Sequence, residues 1–144
     1  MKFMLILKSS KDSEAGVFPP DSKEMFEKMG KFNEELAKAG MLLAAEGLTP
    51  SSKGVRISFN KGGKPTVTDG PFAETKELIA GFWILQAKSR DEVVAWLSRA
   101  PFDEGEVEIR PVGEFEDLPA DILSDDHAER RRKLEQSMEN ASRN

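Results

Sequence analysis

The stretch Asp69-Gly70-Pro71-Phe72-Ala73-Glu74-Thr75-Lys76-Glu77 gathers groups able to do chemistry. It offers carboxylates at Asp69 and Glu74, a hydroxyl at Thr75, an ammonium at Lys76 and an apolar anchor at Phe72. Lys76, or Arg56 from an earlier strand, can hold an anion while Asp69 or Glu74 serves as acid, base or hydrogen-bond acceptor. A structural explanation stands beside this one. Asp69 can cap its own turn, Gly70 can take a conformation barred to other residues, Pro71 fixes a bend and Phe72 plugs a core. A turn has no need of Glu74 or Lys76. The candidate site is therefore Asp69 and Glu74 for proton transfer, with Arg56, Phe72 and Lys76 for ligand binding.

Other constellations favour plainer roles. Arg56 and Arg110 stand on the wet faces of predicted strands and can line one cleft, or simply form solvated cross-strand ion pairs of well under about 1 kcal/mol. Trp96 lies on the inward stripe of a helix. Trp83 belongs to a strand apolar on both faces, so one of the two tryptophans is a candidate for a subunit contact. His127, the one histidine, lies among Asp125, Asp126 and Glu129 in a charged tail and is expected at the surface. The chain has no cysteine. Disulfides, thiolate metal sites and cysteine nucleophiles are thereby removed, and no Asp-x-Asp cation loop is present. No metal and no cofactor is expected. Asn60-Lys61-Gly62-Gly63-Lys64-Pro65-Thr66 lacks the spacing of a phosphate loop and has no helix behind it; it is a hairpin turn. Arg130-Arg131-Arg132-Lys133 has acidic neighbours at helical spacing and reads as a self-paired helix face.

The elements that must position these residues follow from periodicity. Residues 1–7 form an apolar run fit for a buried strand, and 9–20 have loop chemistry. Asp21 and Glu24 make a capping-box pattern ahead of Met25, Met29, Phe32 and Leu36, so a helix over 21–39 is predicted, stopped by Gly40. Residues 41–45 read as a strand. Val55, Ile57 and Phe59 alternate with polar residues as in a half-exposed strand, and 65–68 return beside it. Residues 79–87 form a strand apolar on both faces. Ser89 and Glu92 repeat the capping box before a short helix with Val93, Trp96, Leu97 and Ala100 inward. Residues 106–112 alternate as a last strand. A helix over 124–140 has a sparse apolar stripe of Leu123, Leu134, Met138 and Ala141.

The order β-α-β, hairpin, β-α-β predicts an α+β ferredoxin-like sandwich with an inserted β-hairpin over residues 1–115, followed by a charged, helical tail over 116–144. Residues 3–7 and 79–85 would be the central strands. Two helices cover one face of such a sheet, and side chains on its other face then need a second cover. A two-fold homodimer, sheet against sheet, is the expected solution. The tail folding back over the sheet is the alternative, weakened by its sparse stripe.

The net charge of −5 disfavours nucleic-acid or anionic-membrane binding. No stretch approaches the roughly 18–20 apolar residues of a membrane span. Residues 3–7 are too short for a signal peptide, so a cytoplasmic address is expected.

The run from Asp69 to Glu77 resembles the signature of the DGPF subgroup of the YCII-related family. The resemblance extends to Met1-Lys2-Phe3-Met4-Leu5, Ala45-Glu46-Gly47-Leu48, Gly81-Phe82 and Val107-Glu108-Ile109-Arg110-Pro111. It implies a dimeric ferredoxin-like α/β barrel and no established activity. It also implies a setting beside extracytoplasmic-function sigma factors, so that a sigma factor is a candidate partner. Some shorter relatives carry a His on the first helix paired with an Asp. The helix over 21–39 has no His, and that chemistry does not carry over. Two functions stand: a dimer binding or acting on a small molecule by metal-free acid–base chemistry, or a non-catalytic interaction protein using its tail.

Overall fold

Lys2–Lys8 forms β1, with Phe3 and Leu5 fully buried while Met4 and Ile6, on the opposite face, are half-buried. The computed structural model describes residues 1–73 and 76–144. Within the stretch expected to be loop, Lys11–Ala15 forms a short helix, α1. Its start is a reciprocal cap: Ser13 N donates to Ser10 Oγ at 3.1 Å and Ser10 N to Ser13 Oγ at 2.8 Å. Ser thus fills the position where a capping box usually carries Glu or Gln, and the helix stops at Gly16 with φ 67°.

Ser22–Lys38 forms α2 and buries Phe32 and Leu36, with Met29 packed against the same cluster. The expected capping box is not made. Asp21 has φ −85° and ψ 1° rather than extended backbone, and its carboxylate makes no cap bond. Glu24 instead pairs with Lys28 at 3.0 Å. Gly40, at φ 72°, ends the helix, and Met41 N donates back to the Leu36 carbonyl at 3.0 Å.

The remaining elements of this unit are β2 (Leu42–Gly47), a 3-10 turn at Ser51–Lys53, β3 (Val55–Ser58), β4 (Thr66–Asp69), β5 (Ile79–Gln86), α3 (Arg90–Leu97) and β6 (Val107–Pro111). Ser89 Oγ accepts from Glu92 N at 3.2 Å. The Glu92 carboxylate reaches Lys88 N at 2.8 Å, one residue before the position a reciprocal box requires.

Four strands form an antiparallel sheet in the order β2-β5-β1-β6. β1 and β5 are central, as the two-sided apolar runs predict. This is the ferredoxin-like order, with β3 and β4 inserted as a separate two-stranded sheet. Opposite Leu5 in register stands Trp83, and opposite Phe3 stands Leu85. These four join Phe32, Leu36, Met41 and Val93 in one core. Burying side chains of this size contributes about 1.5–3 kcal/mol each, the main driving force for the unit. Trp83 Nε1 donates to Asn33 Oδ1 at 2.8 Å, so its one polar atom is satisfied.

Trp83 therefore lies on the helix-covered face, and Trp96 packs against the same core. Neither tryptophan is on the second face. Register puts Met4, Ile6, Phe82 and Ile84 there instead. The hairpin departs from expectation as well: every residue of β3 and β4 is exposed, not half-buried. A two-stranded sheet has no layer of its own to pack on, so the alternation of Val55 and Ile57 marks a face without cover within the unit rather than a core strand.

Residues Met1–Val112 form one compact unit and Gly113–Asn144 a second. The second unit holds a 3-10 turn at Phe115–Asp117 and α4 (Asp125–Ser142), a helix with no buried residue. Ser124 precedes α4, and its N–H faces His127 Nδ1 at 3.4 Å. Among the described residues, no helix is long and apolar enough to cross a membrane.

Candidate functional site

Ser51 organises the root of the hairpin. Its hydroxyl donates to Glu14 Oε2 at 2.6 Å, and its backbone N–H donates to Glu14 Oε1 at 3.1 Å. The same hydroxyl accepts from Phe72 N at 3.1 Å. One carboxylate thus grips both polar groups of Ser51, and Ser51 in turn grips Phe72. The 2.6 Å bond has the shortness of a charge-assisted O–H to carboxylate contact. Three segments remote in sequence are tied together: α1, the 3-10 turn and the chain leaving β4.

Gly70 makes the close approach possible. Its N–H donates to the Gly54 carbonyl at 2.9 Å, and the Gly70–Pro71 peptide bond is cis. Beyond it the Phe72 ring is half-buried, and the Arg56 guanidinium lies 3.8 Å from the ring centroid. Such stacking is worth about 0.5–1 kcal/mol at an exposed site. It holds the guanidinium over the ring, and among the described residues its N–H groups make no hydrogen bond, so they can meet an anion in pairs.

Arg56 and Phe72 are therefore brought together as a pair. Asp69 is not with them. It stands opposite Val55 in the ladder, one position out of step with the Arg56–Thr68 pair, and so belongs to the other face of the hairpin. No side-chain cap by Asp69 is among the hydrogen bonds of the described residues. β4 runs through Asp69, and the turn is closed by the Gly70–Gly54 and Ser51–Phe72 bonds instead. Lys76 is exposed in a turn. Glu74 and Thr75 lie outside the described residues.

Arg110 belongs to the four-stranded sheet, where it pairs with Glu108 at 3.3 Å. Lys8 approaches the same carboxylate at 3.5 Å. The hydrogen bond from Arg110, then the charge of Lys8, hold the Glu108 carboxyl below the usual carboxylate range. Arg56 and Arg110 therefore have different sheets and different partners. Among the described residues, no three His, Asp or Glu side chains converge as a metal would require.

Glu14 and Ser51 escaped the sequence reading. No spacing relates residues 37 apart, and α1 itself was unrecognised. The one available signal was the paired serines at 10 and 13, which would have placed Glu14 on a helix.

The elements and register define a ferredoxin-like α+β protein with a polar cluster at the root of its inserted hairpin. The chain belongs to the YCII-related family, whose domain matches residues 1–116. It is 29% identical over 105 residues to an uncharacterised protein of Rhizobium meliloti, a match covering 69% of this chain and 84% of that one. Among solved structures it is similar to 5-chloro-2-hydroxyhydroquinone dehydrochlorinase from Burkholderia phenoliruptrix, in complex with 2,5-dihydroxybenzoquinone. That likeness has 15% identity, covers 83% of this chain and 100% of the other, and has a TM-score of 0.45.

Proposed function

We propose that this chain is a DGPF-type member of its family that binds a small, planar anion at Arg56 and Phe72. The observation that carries this is the guanidinium stacked at 3.8 Å on a ring whose backbone is clamped by Ser51 and Glu14. A positioned cation whose N–H groups have no partner among the described residues loses little freedom on binding, which favours ligand affinity. Proton transfer, without a metal, is assigned to Asp69 and Glu74 as the second part of the proposal. Binding has the stronger geometric support, because Asp69 belongs to the other face of the hairpin.

Calorimetry with a panel of aromatic carboxylates, benzoate among them, and inorganic phosphate as the non-planar control tests the binding. The expected result is a carboxylate that binds, with Arg56→Ala losing roughly tenfold or more in affinity, the worth of a charge-assisted pair. If no compound binds or shifts the melting temperature beyond error, the proposal fails.

The working form proposed is a cytoplasmic homodimer. Met4, Ile6, Phe82 and Ile84 share the sheet face opposite the helix-covered core and remain partly exposed. A second copy placed sheet to sheet would cover them, within an interface on the order of 1,600 Å². A monomer mass by light scattering at micromolar concentration rules this out.

A second reading rests on the C-terminal unit. Phe115, Leu118, Ile122, Leu123 and Leu134 line an open apolar groove of about 380 Å³ with His127, Arg130 and Arg131. That surface supports a non-catalytic interaction protein, with a sigma factor of the extracytoplasmic-function class as partner. Titrating such a purified factor with the full chain and with a chain lacking residues 120–144 decides it. Equal affinity removes the tail from the account.

A further inference from the structure

We propose that the β3–β4 hairpin is an exchanged arm, its apolar face lying on the sheet of a second copy of the chain. The inference rests on the dimer proposed above and goes beyond it by giving the hairpin a seat. Val55, Ile57 and Val67 share one face of the hairpin with Asp69 at its root, since Val55 stands opposite Asp69 and Ile57 opposite Val67. Phe59 is next in the same alternation. These four are 58%, 52%, 64% and 80% exposed for Val55, Ile57, Val67 and Phe59 respectively. A two-stranded hairpin is marginal alone in water and gains stability from a surface to pack on. This one is fastened to its own unit at the root, through Gly54, Gly70 and the Phe72–Ser51 bond.

The complementary surface exists on the same chain and needs cover of the same kind. The second face of the four-stranded sheet, which the partner's sheet covers around Met4, Ile6, Phe82 and Ile84, continues onto the edge strand β2, where Ala44 stands opposite Ile84 and Glu46 opposite Phe82. The hairpin brings an apolar face and, in its turn, the exposed cations Lys61 and Lys64. Apolar meets apolar, and the lysines of the tip meet Glu46 of the partner subunit. A stable interface covers roughly 800 Å² per partner, and the four hairpin side chains supply on the order of half of it by size. A reciprocal exchange buries both faces under two-fold symmetry. It also fixes β3 from its second side, and with it Arg56 on the site face.

The absence of cysteine makes the arrangement directly testable. A Lys61→Cys chain and a Glu46→Cys chain, one carrying a mass tag, are mixed and mildly oxidised. A disulfide between the two different chains, in excess over either homodimer, is expected. Its absence overturns the exchange. Independently, Ile57→Asp is expected to raise the dimer dissociation constant at least tenfold with an unchanged circular dichroism spectrum. An unchanged dissociation constant overturns the arm but leaves the sheet-to-sheet dimer standing, whereas a monomeric wild type removes both. If Ile57→Asp does not fold, the cross-link decides. Amide exchange in residues 55–69 of the wild-type chain should slow as concentration brings the dimer together. Exchange independent of concentration counts against the arm.

Discussion

A Cβ placed on Gly70 would lie 1.8 Å from the backbone oxygen of Ser51. The obstacle is backbone on both sides, and the neighbouring Gly54 oxygen stands at 3.3 Å. A side chain here forces the turn apart. Gly70→Ala is expected to cost about 2–4 kcal/mol, at the upper end of overpacking effects. Urea unfolding checks it. A loss under 1 kcal/mol would mean that the Ser51 loop and the hairpin root are not in contact.

The clamp itself can be divided. Ser51→Ala removes the hydroxyl that Glu14 and Phe72 share, and about 1–3 kcal/mol should go with it. Glu14→Gln keeps shape and loses charge, so a smaller effect is expected. Both should raise the exchange rate of the Phe72 amide, observed by NMR. Unaltered protection in Ser51→Ala would discard the clamp.

Asn33 and Trp83 offer a spectroscopic test of the core. Asn33→Ala leaves the indole N–H of a nearly buried ring without its 2.8 Å acceptor. A destabilisation of about 1–2 kcal/mol and a changed tryptophan emission maximum are the expected outcomes. Emission identical to wild type would place Trp83 elsewhere.

The Glu108 carboxyl titrates below its ordinary range because of Arg110 and Lys8. A folded-state value lower than the unfolded one adds stability above the ordinary carboxylate range. That contribution is lost as pH falls through the folded value. In an NMR titration, Arg110→Ala should move the Glu108 midpoint upward. No movement would show that the Glu108–Arg110 contact along β6 does not persist in solution.

Much of the main unit was legible from local pattern. Phe3, Leu5, Phe32 and Leu36 announced themselves by period, because a strand or helix can bury one face only by repeating apolar residues at its own spacing. Gly40 marked a helix end and 60–63 a hairpin turn for equally local reasons. Trp83 was misjudged because a run apolar on both faces does not say which face the helices cover; register does. The expected Asp21–Glu24 box failed because capping needs extended backbone at the cap, and a residue string does not specify that angle.

The candidate site divides along the same line. Arg56 and Phe72 were recognisable by type, yet their stacking depends on β3 and β4 pairing in one register, which also sends Asp69 to the opposite face. A shift by one residue would exchange the two faces. Glu14 meets Ser51 only because α1 and the 3-10 turn come together across 37 residues. Sequence alone determined the main elements, α1 excepted, together with the strand order and the chemistry on offer, since these follow from periods of a few residues and from turn residues. Tertiary structure decided which of those groups meet, because hydrogen bonds and ring stacking act over a few ångströms and depend on how distant segments pack.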